Sequence, residues 1–477
     1  MRILNVLEEL QDNFVQYVKA VNHLDDDTSG QEISDDLLRK RFFTSPYIQV
    51  VPPYEHGRSI GDLVEDGTLN PKFNQILPAD WELDRKLYKH QESTIVKSST
   101  GSNIVISTGT GSGKTESFLF PIFNHLLNEI DKGTIGDPGV RALILYPMNA
   151  LVNDQLERLR RFLSNFQDAI TFGQYTGETP RGEKEALEKY VNRYKKEPLK
   201  NELISREQIL KAPPHILITN YSMLEYQLIR PKDSVFFDGD MADKWKFLAV
   251  DEVHMYDGAK AMEIALLLRK LKQRALDGNR HEYLQCFATS ATLGSGSGQK
   301  NDISSFASNL FGESFSAEDV ILSTLKEEQS GKSIWKATPE DFKQTSNELS
   351  SSVATPDTSI ETYNRYLNEE ICQSIQRKLK EVPTISVDDL KMHFNDEYPS
   401  YDLKDVLDVM MLSVIPGGKS LLDAKFHLFV RGLEGVYSCD HPEHPENISR
   451  FIFDRDVNCK YCKQEGVNST YFEVGSC

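Results

Sequence analysis

From about residue 100 to about residue 295 the chain alternates between short apolar, β-branched runs and segments of helical period. Few folds satisfy this rhythm. The runs are "NIVIST", "RALILYP", "AITFGQYTG", "HILITNY", "KFLAVDE" and "QCFATSAT". Between several of them lie "ESFLFPIFNHLLNEI", "NALVNDQLERLRRFLSNF" and "AKAMEIALLLRKLKQRAL". A strand that is apolar on both faces must be covered on both, and amphipathic helices between such strands provide the cover. The expected class is α/β, a parallel sheet with helices on both faces. Its functional loops should gather at the C-terminal ends of the strands.

The bulk numbers bound the rest. A chain of 477 residues, 39% hydrophobic and 26% charged, has material for roughly two to three domains. No apolar run approaches the ~18 residues of a membrane span. The start, "MRILNVLEELQDNFVQ", places acids inside its apolar pattern and lacks a small-residue cleavage site, so it reads as an amphipathic helix. Six cysteines in so long a chain do not make a disulfide framework, and a cytoplasmic location without membrane partners is expected. The formal net charge of -18 argues against a protein coated in nucleic acid. It leaves open a groove that holds one strand through amides, hydroxyls and a few cations.

The organisation expected from these patterns is a helical N-terminal extension over residues 1–80, the sheet domain over 81–320, linker and helices over 321–430, and a Cys-rich segment over 431–477. Residues 178–212 form a charged, helix-prone insertion, either a solvated helical hairpin or a basic arm that contacts a strand.

The stretch "STGTGSGKTESF" lies between the first apolar run and the first helical segment. It fits Gly-x-x-x-x-Gly-Lys-[Ser/Thr], the loop that cradles phosphates between a strand and a helix N-terminus. Gly109, Gly111 and Gly113 let the backbone turn its N–H groups inward. Together with Thr108, Thr110, Ser112 and Glu116 they make up the expected nucleotide-binding loop. Lys114 is placed to reach the β- and γ-phosphates, and Thr115 to ligate Mg²⁺. "KFLAVDEVHMYDG" ends a buried strand on two adjacent acids, an arrangement that is costly unless a cation is bound. Asp251 is the expected Mg²⁺ carboxylate, and Glu252 the group that positions and deprotonates a water.

"DEVH" (Asp251–His254) resembles motif II of the superfamily 2 DEAD/DEAH-box helicases, and "SAT" (Ser290, Ala291, Thr292) resembles their motif III. "LYKHQ" puts Gln91 where that family reads adenine. The resemblance implies a RecA-like lobe that binds ATP and Mg²⁺, with His254 in the catalytic motif and Ser290–Thr292 coupling the nucleotide to the nucleic acid. It also implies strand-backbone contacts from "YPMNALVNDQ" (Pro147, Asn149, Gln155), "YTGETP" (Thr176, Gly177) and "ITNYSMLEY" (Thr219, Asn220). "ITNYSMLEY", "DEVHMYDGAKAMEIALLLRKL" and "ATSATLGS" are similar to the bacterial branch of mitomycin-repair and RecQ4-like helicases. That branch is DNA-directed and often carries a zinc segment.

The tail "VYSCDHPEHPENISRFIFDRDVNCKYCKQEGVNSTYFEVGSC" carries a Cys-x-x-Cys knuckle with a further cysteine upstream. This suits structural Zn²⁺, which takes four S or N ligands in a tetrahedron. The expected ligands are Cys439, Cys459, Cys462 and Cys477, with His441 or His444 able to replace one; Cys286 and Cys372 read as packing residues. The resembling family also has a second RecA-like lobe with a Gly-Arg-x-Gly-Arg signature, and no such signature follows Thr292. The expectation is half of an enzyme, as a natural truncation, a split gene product or a fragment whose second half is another polypeptide, with weak or undetectable ATPase activity alone. The alternative is an ATP-responsive module that does not hydrolyse.

Overall fold

The six apolar runs fold as strands of one sheet. In the computed structural model the described residues are 3–21, 42–51, 54–109, 111–278, 283–291, 299–326, 335–351, 355–415, 419–430, 437–439, 451–452, 459, 462 and 471–473. The chain divides into two compact units, one of residues 53–327 and one built from 1–52 with 328–477.

The first unit opens with an antiparallel pair, β1 (His56–Ser59) and β2 (Lys86–Tyr88), and runs into α1 (Lys89–Ser98). The central sheet contains β3 (Ile104–Ser107), β4 (Ala142–Tyr146), β5 (Phe172–Gln174), β6 (Glu202–Leu203), β7 (Ile216–Asn220), β8 (Phe247–Val250), β9 (Gln285–Ser290) and β10 (Val320–Leu322). Their order is β10-β3-β9-β8-β4-β7-β5-β6, and every neighbouring pair is parallel. The main connecting helices are α2 (Lys114–Lys132), α3 (Asn149–Leu163), α4 (Glu183–Tyr194), α5 (Tyr221–Ile229), α6 (Gly258–Asp277) and α7 (Gln299–Phe311).

Period-two alternation divides the strands between two cores. Ile104, Ile106, Ile144, Tyr146, Ile218 and Ala249 pack under α2 and α3 with Phe118, Phe120, Phe123, Leu156 and Leu159. Val105, Leu143, Leu145, Leu217, Leu248 and Val250 pack under α5, α6 and α7 with Leu224, Leu268 and Leu310. Each fully buried Leu, Ile or Phe contributes about 1.5–3 kcal/mol. The two layers fix the sheet and therefore the loops at its C-terminal edge.

The expected boundary at 80/81 falls inside this unit. Ile60, Leu63, Leu69, Phe73, Ile76 and Leu77 are buried in the core under α2, and Phe73 meets Phe120 edge-on with centroids 5.0 Å apart. The expected boundary at 320/321 divides β10, whose Val320–Leu322 register against Val105–Ser107. The 178–212 insertion is built into the sheet edge, because its Glu202 and Leu203 form β6. Glu202 takes a buried ion pair from Arg160 of α3 at 2.7 Å and a hydrogen bond from the Tyr190 hydroxyl of α4 at 3.0 Å. A buried pair of this kind needs its remaining hydrogen-bonding sites filled, and Tyr190 fills one.

In the second unit, strand Tyr47–Val50 pairs antiparallel with Thr384–Ser386 on one side and Ala424–His427 on the other. Helices Pro339–Ser350, Pro356–Tyr366, Glu370–Glu381, Val387–Glu397 and Leu403–Leu412 gather around Ile48, Phe342, Tyr366, Ile371, Val406 and Met410. Residues 47–50 thus belong with the C-terminal helices, whereas the sequence reading joined them to a helical extension. A small sheet has Tyr437–Cys439 between Phe451–Ile452 and Tyr471–Glu473. Cys286 and Cys372 are buried packing residues in separate cores. No helix among the described residues is long and apolar enough to cross a membrane.

Candidate nucleotide and nucleic-acid site

The phosphate loop connects β3 to α2. Gly111 and Gly113 have φ of 77° and 72°, the left-handed region in which a Cβ is penalised. Gly113 caps α2, and Lys114, Thr115 and Glu116 form its first turn, where the helix presents its positive dipole end. Lys114 Nζ donates to the Thr108 carbonyl at 3.2 Å and lies 3.6 Å from Glu252 Oε1. The loop lysine and the acidic pair therefore share one pocket. Thr108 Oγ1 and Ser112 Oγ are hydrogen-bonded within the loop at 2.5 Å. Glu116 turns away toward α3, accepting from Arg158 Nη1 at 2.8 Å. Thr110 lies outside the described residues.

Two residues of "LYKHQ" brace this loop from α1. Gln91 Nε2 donates to the Gly113 carbonyl at 3.0 Å, and its Oε1 accepts from the Tyr88 N–H at 2.9 Å. One donor and one acceptor site of the amide are thus engaged by backbone, and its second N–H and second lone pair are left for a base. His90 was not singled out in the sequence, yet its Nε2 donates to the Ser112 carbonyl at 2.8 Å. Burial holds its imidazole below the usual pKa, with the Lys114 charge adding to the shift and the bond to the Ser112 carbonyl opposing it.

Asp251 and Glu252 follow directly from β8. Thr289, one residue before the "SAT" motif, ties them to β9: its hydroxyl donates to Asp251 Oδ1 and accepts from the Glu252 N–H at 3.1 Å. The sequence reading passed over Thr289. The signal for it was its place two positions from Phe287 in an alternating strand. Burial pushes the Asp251 carboxyl up to about 6, with the Glu252 charge adding to the rise and the Thr289 hydroxyl and Lys114 opposing it. Glu252 has φ 51°, a strained conformation for a residue with a Cβ, of the kind that clusters at functional sites. His254 Nδ1 lies 3.2 Å from Glu252 Oε2 and accepts from the Ala291 N–H at 3.5 Å, with Ser290 Oγ at 3.3 Å. Glu252 Oε2, Ser290 Oγ and the Ala291 N–H thus gather around one imidazole nitrogen. "DEVH" and "SAT" thus touch through His254, Thr289, Ser290 and Ala291, while Thr292 lies outside the described residues.

Strand ends β4, β5 and β7 form the neighbouring surface. Asn149, at the start of α3, accepts from Asn220 Nδ2 at 2.6 Å and donates to Glu178 Oε1 at 3.0 Å. Asn220 caps α5 through the Met223 N–H. Gly177 is exposed, and Asn149 and Asn220 are partly so. Pro147, Gln155, Thr176 and Thr219 are buried. Thr219 donates to the Tyr175 carbonyl at 2.6 Å. Gln155 shares the apolar face of α3 with Val152, Leu156 and Leu159, at helical spacing i, i+3, i+4 and i+7.

This geometry agrees with the family comparison. Residues 88–297 match the DEAD/DEAH box helicase family. The chain carries a DEAD/DEAH box helicase domain. The Druantia protein DruE of Escherichia coli is 31% identical over 61% of this chain and 20% of its own length. The ATP-dependent helicase MJ1574 of Methanocaldococcus jannaschii is 29% identical over 47% of this chain and 28% of its own. The chain thus spans under a third of the length of these curated relatives. The crystal structure of the helicase MrfA bound to DNA and AMPPNP aligns at 21% identity over 61% of this chain and 33% of that one, with a TM-score of 0.41.

Outside the helicase domain, Cys439, Cys459 and Cys462 are buried together, with their sulfurs within 4.8 Å of one another. Cys439 Sγ and Cys462 Sγ are 3.7 Å apart, too far for a disulfide. A Zn–S bond near 2.3 Å sets tetrahedral sulfurs about 3.8 Å apart, so these donors fit zinc in kind and spacing. Cys477, His441 and His444 lie outside the described residues.

Proposed function

We propose that the chain is an ATP-binding lobe of a superfamily 2 DNA helicase or translocase. The observation that carries this reading is the 3.6 Å approach of Lys114 Nζ to Glu252 Oε1, with Asp251 alongside. A loop cation, a metal carboxylate and a water-orienting carboxylate then face one triphosphate. Bound Mg²⁺ would neutralise phosphate charge, with Thr115 and Asp251 as its protein ligands. Asp251 suits that role, since burial leaves its carboxylate in need of a cation. Lys114 holds the terminal phosphates, and Glu252 orients the attacking water. His254, Thr289 and Ser290 carry a change at Glu252 to β9. Asn149, Gly177 and Asn220 hold one strand by its backbone, which fixes register without reading bases. Among the described residues there is one phosphate-loop sheet, so the arginine for the γ-phosphate is assigned to a second lobe.

The test is nucleotide-dependent strand binding. The 477-residue chain should bind single-stranded DNA, and Asn149→Ala and Asn220→Ala should each weaken it by roughly ten- to a hundredfold, as expected for one lost hydrogen bond to a charged group. Fluorescence anisotropy with AMPPNP and with ADP measures this. Nucleotide binding without any strand affinity would refute the helicase reading, and preference for RNA would redirect it.

The raised Asp251 pKa gives a pH signature. Below about pH 6 a proton competes with Mg²⁺ for the carboxylate; above it the ionised form is ready. Mg²⁺-dependent nucleotide affinity should be flat above neutrality and fall by roughly tenfold per pH unit on the acid side. Titrations of labelled ADP from pH 5 to 8, with and without Mg²⁺, would show the difference.

We further propose structural zinc at Cys439, Cys459 and Cys462, with the fourth ligand from Cys477, His441 or His444. Metal analysis should find about one zinc per chain. Cys459→Ser should release it and lower the unfolding midpoint of the second unit while nucleotide affinity is retained.

A further inference from the structure

Tyr54 lies far upstream of every motif described above, yet it sits against the phosphate loop. Its side chain is buried, 4% exposed, and its ring packs edge-on against Tyr88 at 5.4 Å and His90 at 5.6 Å. Its hydroxyl has no hydrogen-bond partner, a condition that native proteins seldom leave without a purpose. That oxygen faces Gly109: a Cβ added there would stand 2.6 Å from Tyr54 Oη and 4.0 Å from Cζ. Gly109 is not in the left-handed region, so backbone conformation does not demand a glycine. The Tyr54 hydroxyl does.

The segment around Tyr54 is tied down on both sides. Glu55 N–H donates to the Thr324 carbonyl at 2.8 Å, and its own carbonyl accepts from Lys89 N–H at 2.9 Å. Tyr54 also forms an isolated bridge with Leu325. A short strap thus links the chain after β10, the start of α1 and the phosphate loop. Burial raises the Tyr54 pKa, which keeps the hydroxyl protonated and able to donate.

We infer that Tyr54 is a positioning residue of the nucleotide site, holding the Gly109 turn of the phosphate loop through its buried hydroxyl. The hydroxyl donates to loop backbone when the loop closes on phosphates, and a glycine at 109 leaves room for it. This inference rests on the nucleotide-site reading above.

A double-mutant cycle on the 477-residue chain tests it, with labelled ADP and AMPPNP affinity and the nucleotide-free unfolding midpoint as readouts. Tyr54→Phe keeps the ring contacts and removes one oxygen. It should weaken both nucleotides about five- to tenfold, the size of one hydrogen bond in a buried site, and leave the midpoint unchanged. Gly109→Ala should weaken binding by more than tenfold, because its methyl meets the hydroxyl. In the Tyr54→Phe background the same methyl meets ring carbon at an ordinary distance, so the double variant should bind as Tyr54→Phe does. Unchanged affinity in Tyr54→Phe, or an equal Gly109→Ala loss in both backgrounds, would overturn the inference and leave the nucleotide site standing. Failure of the unmodified chain to bind either nucleotide would remove both.

Discussion

Lys114→Ala is expected to abolish measurable nucleotide binding while leaving the fold intact. The Lys114 ammonium is buried at 8% exposure, with a carbonyl at 3.2 Å and a carboxylate at 3.6 Å as its polar neighbours. In the proposed complex it is the buried cation facing a triphosphate. Truncating one partner of such a charge pair costs about 3–5 kcal/mol, or roughly two to four orders of magnitude in Kd. The unbound protein should tolerate the change, because the substitution removes a buried charge together with its desolvation penalty. The partly exposed Glu252 and the Thr108 carbonyl each lose one partner. Labelled-ADP titration against the unfolding midpoint separates the two effects. Near-normal affinity in this variant would mean that the glycine loop does not hold phosphates.

What the sequence disclosed was what local chemistry decides. The glycine loop, the acidic pair and six of the eight sheet strands each announce themselves within about ten residues, through spacing, strand character and a neighbouring helix. Contacts between distant segments were not visible in this way. Strand β6 is two residues long and lies in a charged insertion, and Glu202 within it is paired with the distant Arg160. The apolar residues from Ile60 to Leu77 come in pieces of four to six helical residues, too short to show an amphipathic period. Their membership of the α2 core is a tertiary fact. The burial of Gln155 was legible: its helical phase with Val152, Leu156 and Leu159 already placed it inward. The Tyr54 and Thr289 oxygens face residues 55 and 38 positions away, Gly109 and Asp251 respectively. No window of sequence contains either pair.

Glu252→Gln should have the opposite profile to Lys114→Ala, with nucleotide held and hydrolysis lost. The argument depends on the backbone. Glu252 adopts φ 51°, at a cost of about 1–3 kcal/mol, and its N–H is anchored on the Thr289 hydroxyl at 3.1 Å. Glutamine has the same shape and length, so it keeps this turn and leaves Asp251 and Lys114 in place. It lacks the carboxylate that accepts a proton from water, and general-base loss lowers rates by about 10²–10⁴. Single-turnover assays with the chain in excess over ATP, run for hours, detect even a slow rate. ADP and AMPPNP affinities should stay within about twofold of the unmodified chain. Because His254 Nδ1 also lies 3.2 Å from Glu252 Oε2, an amide there provides an N–H donor to that nitrogen. The variant should consequently hold the contact between motif II and "SAT" more firmly and retain AMPPNP-dependent strand binding. Equal hydrolysis by Glu252→Gln and the unmodified chain would assign the water to another residue and remove Glu252 from the chemistry.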